Sequence, residues 1–149
     1  MMFVKLIAKA SPIHGIGCFA TKTIGRGTVL AYWGDVSEVR LLNASQHKMK
    51  FKQKAAVTIQ TGVRLLGDWF VESIRIADKD PSDYLNHSER PNVGYAGGLL
   101  FTLKKIKAGE EMFVDYRLFN AHFEKNVVKG HSAKRQLKAS AAQVKRAFS

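Results

Sequence analysis

Three short stretches hold the residue types that could do chemistry. Ser11-Pro12-Ile13-His14-Gly15-Ile16-Gly17-Cys18-Phe19-Ala20 places two glycines one residue apart. Such a pair lets the backbone bend sharply or lets another group lie against it, because neither position carries a Cβ. Tyr84-Leu85-Asn86-His87-Ser88, followed by Pro91-Asn92, offers an amide side chain that reads polar edges without titrating. Ile106-Lys107-Ala108-Gly109-Glu110-Glu111, followed by Asp115-Tyr116, offers carboxylates and a phenol that both donates and accepts hydrogen bonds. Between the first two stretches lie Ile24-Gly25-Arg26-Gly27 and Tyr32-Trp33-Gly34. Each stretch alone also has a plainer reading: an ordinary turn, an Asn-His bend, or a tyrosine packed in a core with its hydroxyl at the surface.

Several other chemistries are excluded or weakened. There is no GxxxxGK[ST] phosphate loop, and Gly15-Ile16-Gly17 lacks the third glycine of the dinucleotide fingerprint. There is no HExxH, and the five histidines show no metal-ligand spacing. The single Cys18 rules out an internal disulfide and the usual thiolate zinc sites. Ser88 follows His87, but no nucleophile elbow frames it. No metal is therefore expected.

Taken in order, the GxGxF, NHSxxPN and GEE–DY elements resemble the SET-domain family, S-adenosylmethionine-dependent protein-lysine methyltransferases. The resemblance runs from about Lys5 to Tyr116. It implies a mainly β fold of several small curved sheets, with the NHS and DY segments threaded together in a knot-like arrangement, a known exception to unthreaded chains. It also implies a cofactor pocket on one face and a narrow lysine channel from the other.

The resemblance assigns roles residue by residue. Gly15, Ile16 and Gly17 match the loop that lies against the methionine part of S-adenosylmethionine. Asn86 and His87 match the pair that meets the cofactor's amino end and adenine. Tyr116 matches the catalytic tyrosine, which orients a neutral lysine amine or the methyl group. Tyr32 and Tyr95 match aromatics of the lysine channel, where two inward hydroxyls would favour mono- or dimethylation. Phe119, with His122 and Phe123, could cover the adenine or simply pack. Tyr84 is expected in the core, and Asp115 and Glu111 are expected to hold the DY turn. No cysteine clusters flank the matching region, unlike many larger relatives; minimal viral or bacterial SET proteins are the most similar in size.

The elements that must position these residues are short. Phe3–Ala8, Cys18–Ala20, Thr28–Trp33, Val57–Gln60, Leu99–Leu103 and Met112–Tyr116 read as strands, being β-branched, aromatic or apolar between Gly/Pro punctuation. Ser37–His47 has no clean period and reads as a loop or short helix. Trp69–Ile76 stays of undecided type. Asp78–Asp83 reads as a loop. A basic helix is expected over Ala133–Ala147, with Leu137, Ala141, Val144 and Phe148 as a weak apolar stripe.

The 149 residues fit one domain with a tail, read as 1–124 and 125–149. Of 24 basic residues seven lie in the tail, which has none of the 12 acids, so much of the net +12 is concentrated there. Such a tail attracts polyanions, nucleic acid included, or only aids solubility. No apolar run approaches the roughly 18 residues of a membrane span, and the N-terminus lacks an export signal, so no membrane partner is expected and the reading is an intracellular protein. The expected partner is a protein with an accessible lysine, a histone or another basic, DNA-associated protein. Histone tails are basic, so a groove for them needs local acid; Asp35, Glu38, Asp78, Asp80 and Asp83 are the candidates. Methylation of Lys134, Lys138 or Lys145 in cis and a homodimer completing the groove are both open. The competing readings are a SET fold without turnover, kept as a binding module, and a small basic nucleic-acid-binding β domain.

Overall fold

Short apolar runs bounded by turn residues form the strands, which among the described residues pair into three small sheets. The computed structural model describes residues 1–34, 39–46, 49, 63–73, 80–119 and 131–149. β1 (Leu6–Ala10) and β2 (Ile16–Ala20) form a hairpin in the register Leu6↔Ala20 to Ala10↔Ile16. Its loop is closed from within: Ser11 N–H donates to Gly15 O at 2.8 Å. Ser11 Oγ accepts from Ile13 N–H at 3.0 Å and His14 N–H at 3.2 Å, the local side-chain competition for backbone donors that makes serine a turn residue.

β3 (Val29–Tyr32) belongs to a second sheet, and β4 (Val39–Leu42), β5 (Val63–Leu66) and β6 (Trp69–Ser73) make a third, ordered β4-β6-β5. A 3-10 turn at Pro81–Tyr84 leads into β7 (Asn86–His87). β8 (Val93–Ala96) and β9 (Leu99–Thr102) are joined by Gly97-Gly98, both at positive φ (55° and 90°), as a two-residue hairpin of right-handed twist requires. They complete the sheet β3-β9-β8. β10 (Glu111–Val114) joins β2 antiparallel and β7 parallel, giving the order β1-β2-β10-β7. The parallel pairing Phe113↔Asn86 and Val114↔His87 sets the NHS segment beside the DY strand.

The fold is thus mainly β, as expected, and ends in a helix, α1 (Ala133–Phe148). The core lies where the sheets meet, around Cys18, Leu30, Ala31, Tyr95, Leu100, Met112 and Val114, all wholly or almost wholly buried. Desolvation there, reinforced by the Asp80, Glu111 and Asp83 carboxylates, pushes the Cys18 thiol up to about 12.

Several differences from the sequence reading have physical causes. Strand β1 starts at Leu6, not Phe3, because Phe3 N–H instead donates to Leu30 O on β3. Of the stretch 37–47, expected as a loop or short helix, residues 39–42 form β4 while residues 44–46 are helical; the partner of β4 is β6, 34 residues away at Val39↔Ser73 and 28 at Leu42↔Phe70, which local periodicity cannot see. The Asp78–Asp83 loop contains the 3-10 turn, started by Pro81 and a reciprocal Asp80/Asp83 capping box. Tyr84 is half-buried, and Leu85 takes the core position beside it. The expected strand at Val57–Gln60 and the residues His122 and Phe123 lie outside the described residues.

The end of the chain packs onto the sheets. Helix α1 packs on β8, and its inward residues are Gln136, Ser140 and Ala147 rather than the apolar stripe. Gln143 Oε1 accepts from Tyr95 N–H at 2.9 Å, satisfying a backbone donor on an edge strand. Ala147 joins Phe101 and Leu103 in a second apolar cluster, with Phe148 against Phe101 at 5.2 Å. Leu137 and Val144 stay exposed. Among the described residues no helix is long and apolar enough to cross a membrane.

Candidate functional site

The hairpin loop, β7 and β10 converge on the side chain of Asn86. Its Nδ2 donates towards His14 O at 3.0 Å, Ile16 O at 3.3 Å and Glu111 Oε1 at 2.9 Å. Three acceptors face a group with two hydrogens, and one of the three is a carboxylate. Glu111 is 8% exposed, and its other oxygen, Oε2, accepts from Ser11 Oγ at 2.9 Å. Glu111 thus ties the loop to the sheet rather than holding the DY turn. Gly17 is required here by space: a Cβ would lie 2.9 Å from Glu111 Cδ and 3.1 Å from Ser11 Cβ. Gly15 and Ile16 are exposed on the same loop.

The next residue along β7 couples this cluster to the end of β10. His87 Nδ1 accepts the backbone N–H of Tyr116 at 3.0 Å, so that nitrogen carries no proton and the neutral ring keeps its proton on Nε2. Asp115 caps the 3-10 turn at Tyr116–Leu118, accepting from Arg117 N–H at 3.0 Å and from Arg117 Nε and Nη2 at 2.9 and 2.7 Å. Burial alone would raise the Asp115 carboxyl; the Arg117 hydrogen bonds outweigh it and hold the group below its ordinary value.

Tyr116 is half-buried, and its hydroxyl donates to Leu85 O at 2.6 Å. Burial pushes its pKa up, so it is a neutral phenol with acceptor capacity left on oxygen. Its ring lies 5.3 Å from His87 and 5.5 Å from Phe119. Phe119 also meets Trp33 edge-on at 5.3 Å and Tyr95 at 5.1 Å. It is buried, at the hub of an aromatic cluster that joins Tyr116 to Tyr95. The Tyr95 hydroxyl donates to Arg64 O at 2.7 Å, and burial raises its pKa strongly. Tyr32 is half-buried, its ring against Gly34 and Gly98, the latter being the residue whose carbonyl accepts Trp33 N–H at 2.8 Å.

Eight of the nine residues singled out from the sequence are therefore linked, and Tyr32 lies apart from them against Gly34 and Gly98. Asn86 joins the Gly15–Gly17 loop to β10, His87 joins β7 to Tyr116, and Phe119 joins Tyr116 to Tyr95. Two participants were not foreseen there: Ser11 and Glu111 as the clamp on the loop. The packing demand at Gly17 was the available signal. Of the five candidate acids, Asp80 and Asp83 are engaged in capping the 3-10 turn, where Asp80 Oδ1 accepts from Ser82 N–H at 2.8 Å and Trp33 Nε1 donates to Ser82 Oγ at 3.0 Å. Asp35, Glu38 and Asp78 lie outside the described residues. Among the described residues, no group of three or more His, Cys, Asp or Glu side chains is placed to hold a metal ion.

The SET-domain family model matches residues 15–117, more than half of the sequence. The chain belongs to the SET-domain family. This SET domain resembles in fold a humanized mutant of the Chaetomium thermophilum Polycomb Repressive Complex 2 bound to the inhibitor GSK126, at TM-score 0.56 and 18% identity, covering 87% of this chain and 19% of that one. It also resembles the same complex bound to GSK343, at TM-score 0.52 and 21% identity, covering 76% of this chain and 15% of that one. The SET domain thus spans a fifth or less of the length of those chains. No curated protein sequence matches it. The family generally comprises protein-lysine methyltransferases. Helix α1 lies beyond the matched residues.

Proposed function

We propose that this SET domain is a protein-lysine N-methyltransferase that uses S-adenosylmethionine and acts on a histone or another basic, DNA-associated protein. The observation that carries the reading is the excess of acceptors around Asn86. An ammonium has three donors and one positive charge; His14 O, Ile16 O and the Glu111 carboxylate supply matching acceptors and a negative charge. The residues therefore fit the α-amino end of S-adenosylmethionine. Gly17 leaves the space that any side chain would fill.

When bound, S-adenosylmethionine supplies a methyl group activated by a sulfonium charge. The chain's own residues do the rest. Gly15–Gly17, Asn86 and His87 hold and orient the cofactor, and Phe119, buried among Trp33, Tyr95 and Tyr116, braces the tyrosine beside it. Tyr32 lines the path of the lysine stem, for which aromatic walls suit the methylenes, and Tyr95, wholly buried with its hydroxyl held by Arg64 O, backs that wall from the core. A free lysine amine has a pKa of about 10.4, so a buried path beside a cation favours its neutral, nucleophilic form. Tyr116 is already anchored by Leu85 O, and its remaining lone pair can accept an amine N–H and fix the nitrogen's direction. Alignment of this kind supplies much of the rate gain in a displacement with little acid–base work.

Radiolabelled S-adenosylmethionine offered with core histones, a basic DNA-binding protein and the chain alone tests the reading. Label on one protein, lost with Tyr116→Phe, is the expected result. Absence of cofactor binding by calorimetry would sink it.

A further inference from the structure

Helix α1 carries its apolar stripe on the outside. Leu137, Ala141 and Val144, at positions i, i+4 and i+7, line a groove of ≈ 390 Å³ together with Leu65, Leu66 and Ala96. Leu66 is 51% exposed, Leu137 46% and Val144 38%. A helix docked through Gln136, Ser140 and Ala147 while its leucine and valine remain outside has kept apolar surface for something else. The helix also carries Lys134, Arg135, Lys138, Lys145 and Arg146 and no acid, and Lys145 lines the groove itself.

We propose that this groove docks an amphipathic helix of a partner protein whose apolar ridge is flanked by acidic residues. The stripe runs along the axis of α1, so the groove offers about two turns of continuous contact, which suits a helix laid alongside. Charge selects the flanks: a cationic rim attracts carboxylates and repels a basic segment. Charge also argues against a second copy of this chain, because each carries a net +12 and pairing α1 with α1 would bring two such rims together. Nucleic acid would satisfy the lysines but leave the leucines uncovered. The surface is separate from the Asn86 cluster and Tyr116, and the proposal does not depend on methyl transfer.

The test uses the full chain and fluorescence anisotropy with three labelled probes. One is a helical peptide with Leu at i, i+4 and i+7 and Glu on its flanks, the second has Lys in place of Glu, and the third is a DNA duplex. The Glu peptide is expected to bind at least ~10-fold more tightly than the Lys peptide, and Leu137→Gln with Val144→Gln to weaken it at least ~10-fold. Lys138→Glu with Lys145→Glu should remove the preference between the peptides. All four positions are exposed, so melting curves close to wild type are expected and show that each variant is folded. Equal binding of the two peptides, no saturable binding, or binding unaffected by the Leu137/Val144 change overturns the proposal. So does concentration-dependent self-association lost in that variant, which makes a second copy the occupant. Peptide displacement by DNA that leaves the Leu137/Val144 variant unimpaired assigns the face to nucleic acid instead.

Discussion

Asn86 and Gln143 each use a side-chain amide to hold the backbone of a distant segment, yet the two regions are built differently. Gln143 meets one donor, Tyr95 N–H, and one acceptor answers it. Asn86 faces three acceptors with two hydrogens, next to a buried carboxylate and a glycine that cannot be enlarged. A one-to-one match finishes a sheet edge. A surplus of acceptors around an exposed loop leaves acceptor capacity that the amide alone does not use. On the proposed function, the comparison separates an amide that stabilises from an amide that binds, although both appear as hydrogen bonds of similar length.

The sharpest way to break it is at Tyr116. Tyr116→Phe should lower kcat by about 100-fold or more while leaving cofactor affinity within about 2-fold, read by radiometric assay and calorimetry. An equal loss from Gln143→Ala would erase the distinction. Asn86→Ala should weaken S-adenosylmethionine about 10-fold or more, while Gln143→Ala leaves it unchanged within error. Gly17→Ala forces a methyl group onto Glu111 and should cost about 1–3 kcal/mol in denaturant melts, together with cofactor affinity. Gln143→Ala should cost about 1–3 kcal/mol of stability by leaving Tyr95 N–H unpaired, with kcat preserved.

The smallest effect concerns acid. The folded state holds Asp115 below its ordinary 3.8, so the pair with Arg117 contributes stability above that value and loses it as pH falls through the depressed pKa. Asp115→Asn should therefore melt less stably than wild type near neutral pH. The gap should close in melts below pH 3.8.

The sequence revealed whatever depended on local chemistry. Cys18–Ala20, Leu99–Thr102 and Val29–Tyr32 are apolar or β-branched runs bounded by turns, and they are strands. The ordered glycine, Asn-His and Asp-Tyr elements marked the residues that meet around Asn86 and Tyr116. What stayed hidden depended on partners far along the chain. Val39–Leu42 has no alternation and is a strand only because β6 pairs with it. Val93–Ala96 contains Gly94, a poor strand former, which sits there because the Phe101 ring covers it. Periodicity put the buried face of α1 on its apolar residues, whereas an edge-strand N–H in need of an acceptor selected a face rich in amide and hydroxyl groups. Glu111 could not be placed on the loop until β10 was known to lie beside β2.

The buried thiol of Cys18 has a practical consequence. It is the sole cysteine, it sits on β2 between β1 and β10, and its raised pKa leaves almost no thiolate at neutral pH. An alkylating reagent can reach it only when the core packed over β2 opens. The rate of its modification is then a clock for core opening, read by mass spectrometry without any engineered label. Because the native thiol is silent, a cysteine introduced on the outer face of α1 would be the single reactive one, ready to carry a probe.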